Sequence, residues 1–149
     1  MSQSLSRILV HLIFSTKDRQ PVLRPLLYDL YPVIATTLKD AKCPAITIGG
    51  WDDHLHLLLV LHREEAIARA VKTVKICSTK WIKQHSQRHQ TFAWQGGYGS
   101  FSVSQSEVTR VSRYIENQDK HHQKLSFKHE YIRFLDKHQI EYDPQYLWT

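Results

Sequence analysis

The spacing of apolar positions along the chain changes several times, and each change marks an element. Arg7 to Thr16 (RILVHLIFST) is dense in β-branched and aromatic side chains and reads as a strand. A polar connection, Lys17 to Gln20, ends at Pro21. From Pro25 to Ala41 the apolar positions Leu26, Leu27, Leu30, Val33, Ile34 and Leu38 recur at helical spacing, with Pro32 as a point of kinking. Cys43 to Gly49 is a second strand, Gly49 to Asp53 supplies turn residues, and His54 to His62 is a third strand, so the two form a hairpin. Glu64 to about His85 returns to the helical period, with Ile67, Ala70, Val71, Val74, Cys77 and Trp81 as its apolar stripe. His89 to Gly99 is a loop, and Tyr98 to Val103 a fourth strand. Ser104-Gln105-Ser106-Glu107 has the spacing of a capping box and starts a helix running to about Gln123. Ser126 caps a last helix with Phe127, Tyr131, Phe134, Leu135 and His138 on one face.

The resulting order, β-α-β-β-α-β followed by two helices, predicts an α+β fold. It is a ferredoxin-like or RRM-like split βαβ with a four-stranded antiparallel sheet plus C-terminal helices. A chain of 149 residues suits one domain spanning 1–149. Its longest apolar run, Leu57 to Leu61, falls far short of the roughly 20 residues that cross a bilayer, so no membrane association is expected. The first residues lack the pattern of a signal peptide, and a cytoplasmic location follows as the expectation. Cys43 and Cys77 form no CxxC pair and read as reduced, which argues against a structural zinc site. Such a fold hosts many functions and decides none of them.

Charge changes the picture more than composition does. The net charge is +6, which favours an anionic partner. From Arg63 to Arg88 there are seven Lys and Arg against two acids, so most of the excess sits in one short stretch. There, Arg69, Lys72, Lys80 and Lys83 project away from the apolar stripe, by the ~100° per residue of an α-helix. With Lys17 and Arg19 they are the candidate phosphate contacts. Trp51, Trp94, Tyr98 and Phe101 are candidates for stacking unpaired bases.

Two segments carry candidate chemistry. On the third strand, His54 and His56 are two apart and point to one face, while Leu55, Leu57 and Leu59 point to the other. Leu58 and Val60 continue the histidine face, so it is covered, and a covered face does not readily accept unpartnered imidazoles. Two neutral imidazoles leave a divalent cation largely uncompensated, with Lewis acidity and open positions for a phosphate oxygen. On the helix after Glu107, Val108, Val111 and Ile115 form the buried stripe. Tyr114 and Gln118 lie four apart on another side, with His121 or His122 one turn on. The amide oxygen of Gln118 is a hard ligand that magnesium and manganese accept. If Gln118 reaches an ion between the histidines, Tyr114 comes within reach of a phosphate bound there.

Together these pieces resemble the single-tyrosine HUH transposases of bacterial insertion sequences and their relatives associated with repetitive extragenic palindromes. The resemblance rests on the opening strand with Lys17 and Arg19, on Asp53-His54-Leu55-His56-Leu57-Leu58 and the basic helix after it, and on Trp94 to Ser104. It continues through Tyr114-Ile115-Glu116-Asn117-Gln118, His121-His122 and Tyr146-Leu147-Trp148. It implies a divalent ion, Mg2+ or Mn2+, held by His54, His56 and Gln118. It implies that Tyr114 attacks single-stranded DNA, leaving a 5′-phosphotyrosine link and a free 3′-OH. It further implies recognition of DNA hairpins and a homodimer, in which the tyrosine helix can dock against the other subunit's histidines. Two competing readings are a non-catalytic RRM-like module that binds single-stranded nucleic acid, and a metal-dependent hydrolase with no covalent step.

Overall fold

The computed structural model describes residues 2–149. Strands β1 (Ile8–Ser15), β2 (Ala45–Gly50), β3 (His54–Leu61) and β4 (Gly99–Val103) form one sheet in the order β2-β3-β1-β4, with every neighbouring pair antiparallel. Helices α1 (Leu27–Asp40) and α2 (Ile67–His85) are the two crossovers. Helices α3 (Val108–Glu116), α4 (Gln118–His121) and α5 (Phe127–Lys137) follow β4. The fold is α+β with the split βαβ topology that the period changes predict. Among the described residues, no helix is long and apolar enough to cross a membrane.

Strand alternation divides the chain between two layers. On one face, Val10, Leu12 and Phe14 of β1 and Leu55, Leu57 and Leu59 of β3 pack against Leu30, Ile34 and Leu38 of α1 and Val71, Val74 and Ile82 of α2. On the other, Leu58 meets Val111 and Ile115 of α3, and Ile13 and Phe101 meet Phe127, Tyr131 and Leu135 of α5. His11, His54 and His56 belong to this second face and are buried. The central strands are therefore covered on both sides.

Four local expectations are corrected. Pro32 lies inside α1 without ending it, because Ile34 and Leu38 beyond it are anchored in the core. The stripe of α2 is turned slightly, so that Ser78 and Ile82 are fully buried while Cys77 and Trp81 flank it. A polar Ser78 is tolerated there because Trp94 Nε1 donates to its hydroxyl at 2.9 Å. Ser104 forms no capping box: its hydroxyl meets Ser106 at 3.1 Å, Glu107 turns to Arg110, and Gln105–Glu107 is a 3-10 turn. The helix expected to run to Gln123 breaks at Asn117 (φ −100°, ψ 29°) into α3 and α4. Ser126 does cap α5, accepting from the His129 amide at 3.3 Å.

Gly49 sets how closely α3 approaches the sheet. A Cβ built there would stand 2.1 Å from the backbone oxygen of Ile115, so only glycine lets the helix lie on β2 at this height. Gly49→Ala is expected to push α3 outward and to destabilise the protein by about 3 kcal/mol, toward the upper end for overpacking. Urea unfolding measures this, and unchanged stability would mean that α3 can shift freely.

Candidate active site

The site is built where α5 lies across the histidine face. Phe127, Glu130, Tyr131 and Phe134 follow i, i+3, i+4, i+7 spacing and all turn toward the sheet. Phe127 stacks on His54 with ring centres 4.2 Å apart, and Phe134 meets His11 edge-on at 5.1 Å. Between them the Glu130 carboxylate is inserted among the histidines, itself only 1% exposed. Its Oε1 accepts from His56 Nε2 at 2.9 Å and lies 3.4 Å from His54 Nε2 and 3.5 Å from His122 Nε2. The Tyr114 hydroxyl donates to its other oxygen. Gln118, carried just past the break at Asn117, places Oε1 3.0 Å from His54 Nε2 and 2.9 Å from His122 Nε2.

The outer nitrogens of both strand histidines are also occupied. His54 Nδ1 lies 2.8 Å from Asp53 Oδ1, and His56 Nδ1 lies 2.9 Å from His11 Nε2. Burial disfavours a charged His54, but the Asp53 and Glu130 carboxylates outweigh it and raise its pKa to about 9. At His56 burial wins over Glu130 and the pKa is lowered; burial also drives His11 well below its ordinary value. In this state His54 is cationic and the other two are neutral. His56 then donates through Nε2–H to Glu130 and accepts from His11 at Nδ1. Burial alone would raise Glu130, yet His56, His122 and His54 hold it well below the usual carboxylate range. Tyr114 is pushed above its ordinary value by burial and by the negative charge of Glu130.

The donor set fits a hard divalent ion. With metal–oxygen distances of about 2.1 Å, adjacent ligands of an octahedron stand roughly 3 Å apart. The distances around His54 Nε2, Gln118 Oε1, Glu130 Oε1 and His122 Nε2 lie between 2.9 and 3.5 Å, and His56 Nε2 joins this set at 2.9 Å from Glu130 Oε1. Donors of His54, His122 and Glu130 all come within 4.8 Å of one another. Asp53 behind His54 provides the carboxylate–histidine pairing that orients a ligating imidazole.

The structure thus brings His54, His56, Gln118 and Tyr114 into one cluster within a single chain. It distributes the candidate phosphate contacts differently. Lys17 and Arg19 follow the end of β1 that pairs with His54, and the Arg19 guanidinium stands 5.2 Å over the Trp148 ring. Arg69, Lys72, Lys80 and Lys83 are exposed on α2, in the layer across the sheet from the site. Of the aromatic candidates, Trp94 and Phe101 are core residues, Trp51 lies under the Arg24 guanidinium at 4.5 Å, and Tyr98 is the most exposed. The sequence reading missed Glu130, His11 and Asp53 and left His122 as an alternative to His121. The available signals were a lone carboxylate inside the apolar stripe of α5 and a histidine in an otherwise apolar strand.

Comparison with known proteins gives the family and a shared fold. The family model described as "Transposase IS200 like" matches residues 4–118, from before β1 through Gln118. A candidate transposase from Deinococcus radiodurans R1 is similar in fold, with a TM-score of 0.64, 23% identity, and coverage of 79% of this chain and 98% of that one. A REP-associated tyrosine transposase bound to a REP hairpin is similar with a TM-score of 0.54 and 14% identity, covering 77% of this chain and 70% of that one. No curated protein matches the chain. A family match over most of the chain, ending on the residue that completes the tyrosine–histidine cluster, carries the conclusion that this chain belongs to the IS200-like transposases.

Proposed function

We propose that this transposase cuts and rejoins single-stranded DNA with Tyr114 as the nucleophile and with a divalent ion, Mg2+ or Mn2+, held by His54, His56 and Gln118. The supporting observation is the meeting of the Tyr114 hydroxyl with the buried histidine and glutamine donors around Glu130. The tyrosine oxygen attacks phosphorus, the bond to the 3′-oxygen breaks, and that oxygen leaves with the electron pair and is protonated. The phenolic proton passes first to Glu130, its present hydrogen-bond acceptor. The products are a 5′-phosphotyrosine and a 3′-OH, and attack by a second 3′-OH reverses the step. When bound, the ion polarises the phosphate and neutralises developing charge.

The partner is DNA with a hairpin, a reading supported by the relative bound to a REP hairpin. The cations of α2 (Arg69, Lys72, Lys80, Lys83) and of the turn after β1 (Lys17, Arg19) contact backbone phosphates away from the cut, since the sheet separates α2 from Tyr114. The chain works as one domain, as a homodimer and in the cytoplasm. The RRM-like alternative loses support because α3 and α5 cover the sheet face that such a module leaves open for bases.

The test uses single-stranded DNA from both flanks of the gene. With Mn2+ a covalent adduct should survive denaturing electrophoresis, and peptide mass spectrometry should place the nucleotide on Tyr114. A chelator should abolish it, and Gln118→Ala should weaken Mn2+ binding at least about tenfold in calorimetry. An adduct on another residue, or cleavage without any adduct, would overturn the reading.

A further inference from the structure

Beside the cluster a cleft of about 740 Å3 opens between α3 and α5, with β4 as its floor and Tyr114 and Glu130 at its inner end. Its walls carry Arg110 on α3 and Arg133 and Lys137 on α5. Arg110 pairs with Glu107, whereas Arg133 and Lys137 have no ion-pair partner among the described residues; Asp136 is the remaining acid at the rim. His121 also lines the cleft, with its ring centre 4.3 Å from that of Tyr114, and its Nε2 is buried with no hydrogen-bond partner. A buried ring nitrogen left unpaired beside the nucleophile points to a group supplied from outside. The Phe134 and His138 rings lie parallel within 14° along the same wall.

We propose that this cleft is the track for the scissile single strand, in which Arg133 and Lys137 hold backbone phosphates and His121 Nε2 meets the strand next to the phosphate that Tyr114 attacks. The chemistry of the walls selects this occupant. Guanidinium and ammonium groups take phosphates without regard to sequence, and an aromatic wall offers stacking to any base. The cleft's direct opening on Tyr114 distinguishes it from the α2 cations, which lie across the sheet. The inference rests on the reading of Tyr114 as the nucleophile, but it concerns binding and is tested without cleavage.

Fluorescence anisotropy of a fluorescein-labelled oligodeoxythymidine, measured on the full chain with EDTA present, separates the surfaces. Arg133→Ala/Lys137→Ala should weaken binding roughly tenfold and lower the slope of log affinity against log salt by about 1.4, the value for two lost single-strand phosphate contacts. Lys39→Ala/Arg63→Ala, which removes two exposed cations that belong to neither surface, should stay within about twofold of wild type on this probe. His121→Ala should weaken it less, with unchanged salt slope if the contact is an uncharged hydrogen bond. The proposal fails if wild type does not bind the probe at low salt, if the cleft pair binds as wild type does, or if the Lys39/Arg63 pair loses as much. Failure here with a Tyr114 adduct still forming would remove the cleft assignment alone. Retained cleft binding with strand cleavage but no adduct on Tyr114 would remove the nucleophile assignment alone.

Discussion

Tyr114→Phe is expected to abolish the covalent protein–DNA adduct and to reduce strand cleavage by about four orders of magnitude or more, the scale seen when a nucleophile is deleted from a catalytic group that acts as a unit. The substitution removes one oxygen from a half-buried ring and leaves the ring's contacts with His56 and His121 in place. Glu130 keeps its hydrogen bond from His56 at 2.9 Å, so no buried carboxylate is orphaned and the fold should survive. Mn2+ affinity should also survive, because the hydroxyl is not among the candidate ligands. Cleavage kinetics, adduct gels and metal calorimetry on the same preparation therefore give a dissociated result: chemistry lost, binding kept. The proton on the wild-type phenol sharpens this expectation. Burial and Glu130 hold Tyr114 protonated, so attack needs the proton to move as the bond forms. Cleavage retained in Tyr114→Phe would transfer the reaction to a water nucleophile and make the protein a hydrolase.

The parts of this site that were legible in the sequence are those fixed by local periodicity. His54 and His56 share a face because a strand alternates, and β3 is a strand of that phase. Tyr114 and Gln118 sit four apart on successive helical turns, although the backbone breaks at Asn117 between them. The sheet order followed from the succession of periods. What stayed hidden depends on contacts between segments distant in sequence. Glu130 reaches His56 across 74 residues; its place inside the apolar stripe of α5 marks it as turned inward, but nothing on α5 says which groups it meets. His11 becomes a partner of His56 only through the β1–β3 register, which sets Ile13 opposite His56 and puts His11 on the same face one step away. The charged stripe of α2 was legible as a stripe. Its separation from the site is a property of layer order, which helix periodicity does not contain. The family match ends at Gln118, and the resemblance, which takes up again at Tyr146-Leu147-Trp148, names no residue of α5.

Glu130 should dominate the stability of the metal-free protein. In EDTA near pH 6, Glu130→Gln keeps the side-chain shape and removes the one carboxylate that faces three histidine nitrogens, and a loss of about 3 kcal/mol is expected for breaking a buried ion pair from one side. The pH profile identifies the cause. His54 is raised from 6.5 to about 9, so its contribution is complete below pH 6.5, declines as pH rises and is gone above about 9. That span corresponds to roughly 3 kcal/mol. His11 and His56 are lowered and act in the opposite sense: the unfolded chain takes up their protons below pH 6.5, so stability also falls on the acid side. Glu130, held low, adds a further loss once pH drops below its ordinary value of 4.5. Chelated wild type should therefore be most stable near pH 6.5 and weaken toward pH 9. Glu130→Gln should show a shallower alkaline decline, because Asp53 alone then supports the His54 cation. Mn2+ should remove or reverse that decline, since the ion takes the position of the Nε2 proton and binds better as protons become scarce. Urea unfolding across pH, with and without Mn2+, measures all three curves. A chelated wild-type protein with flat stability from pH 6.5 to 9 would show that His54 is not held as a cation by these carboxylates.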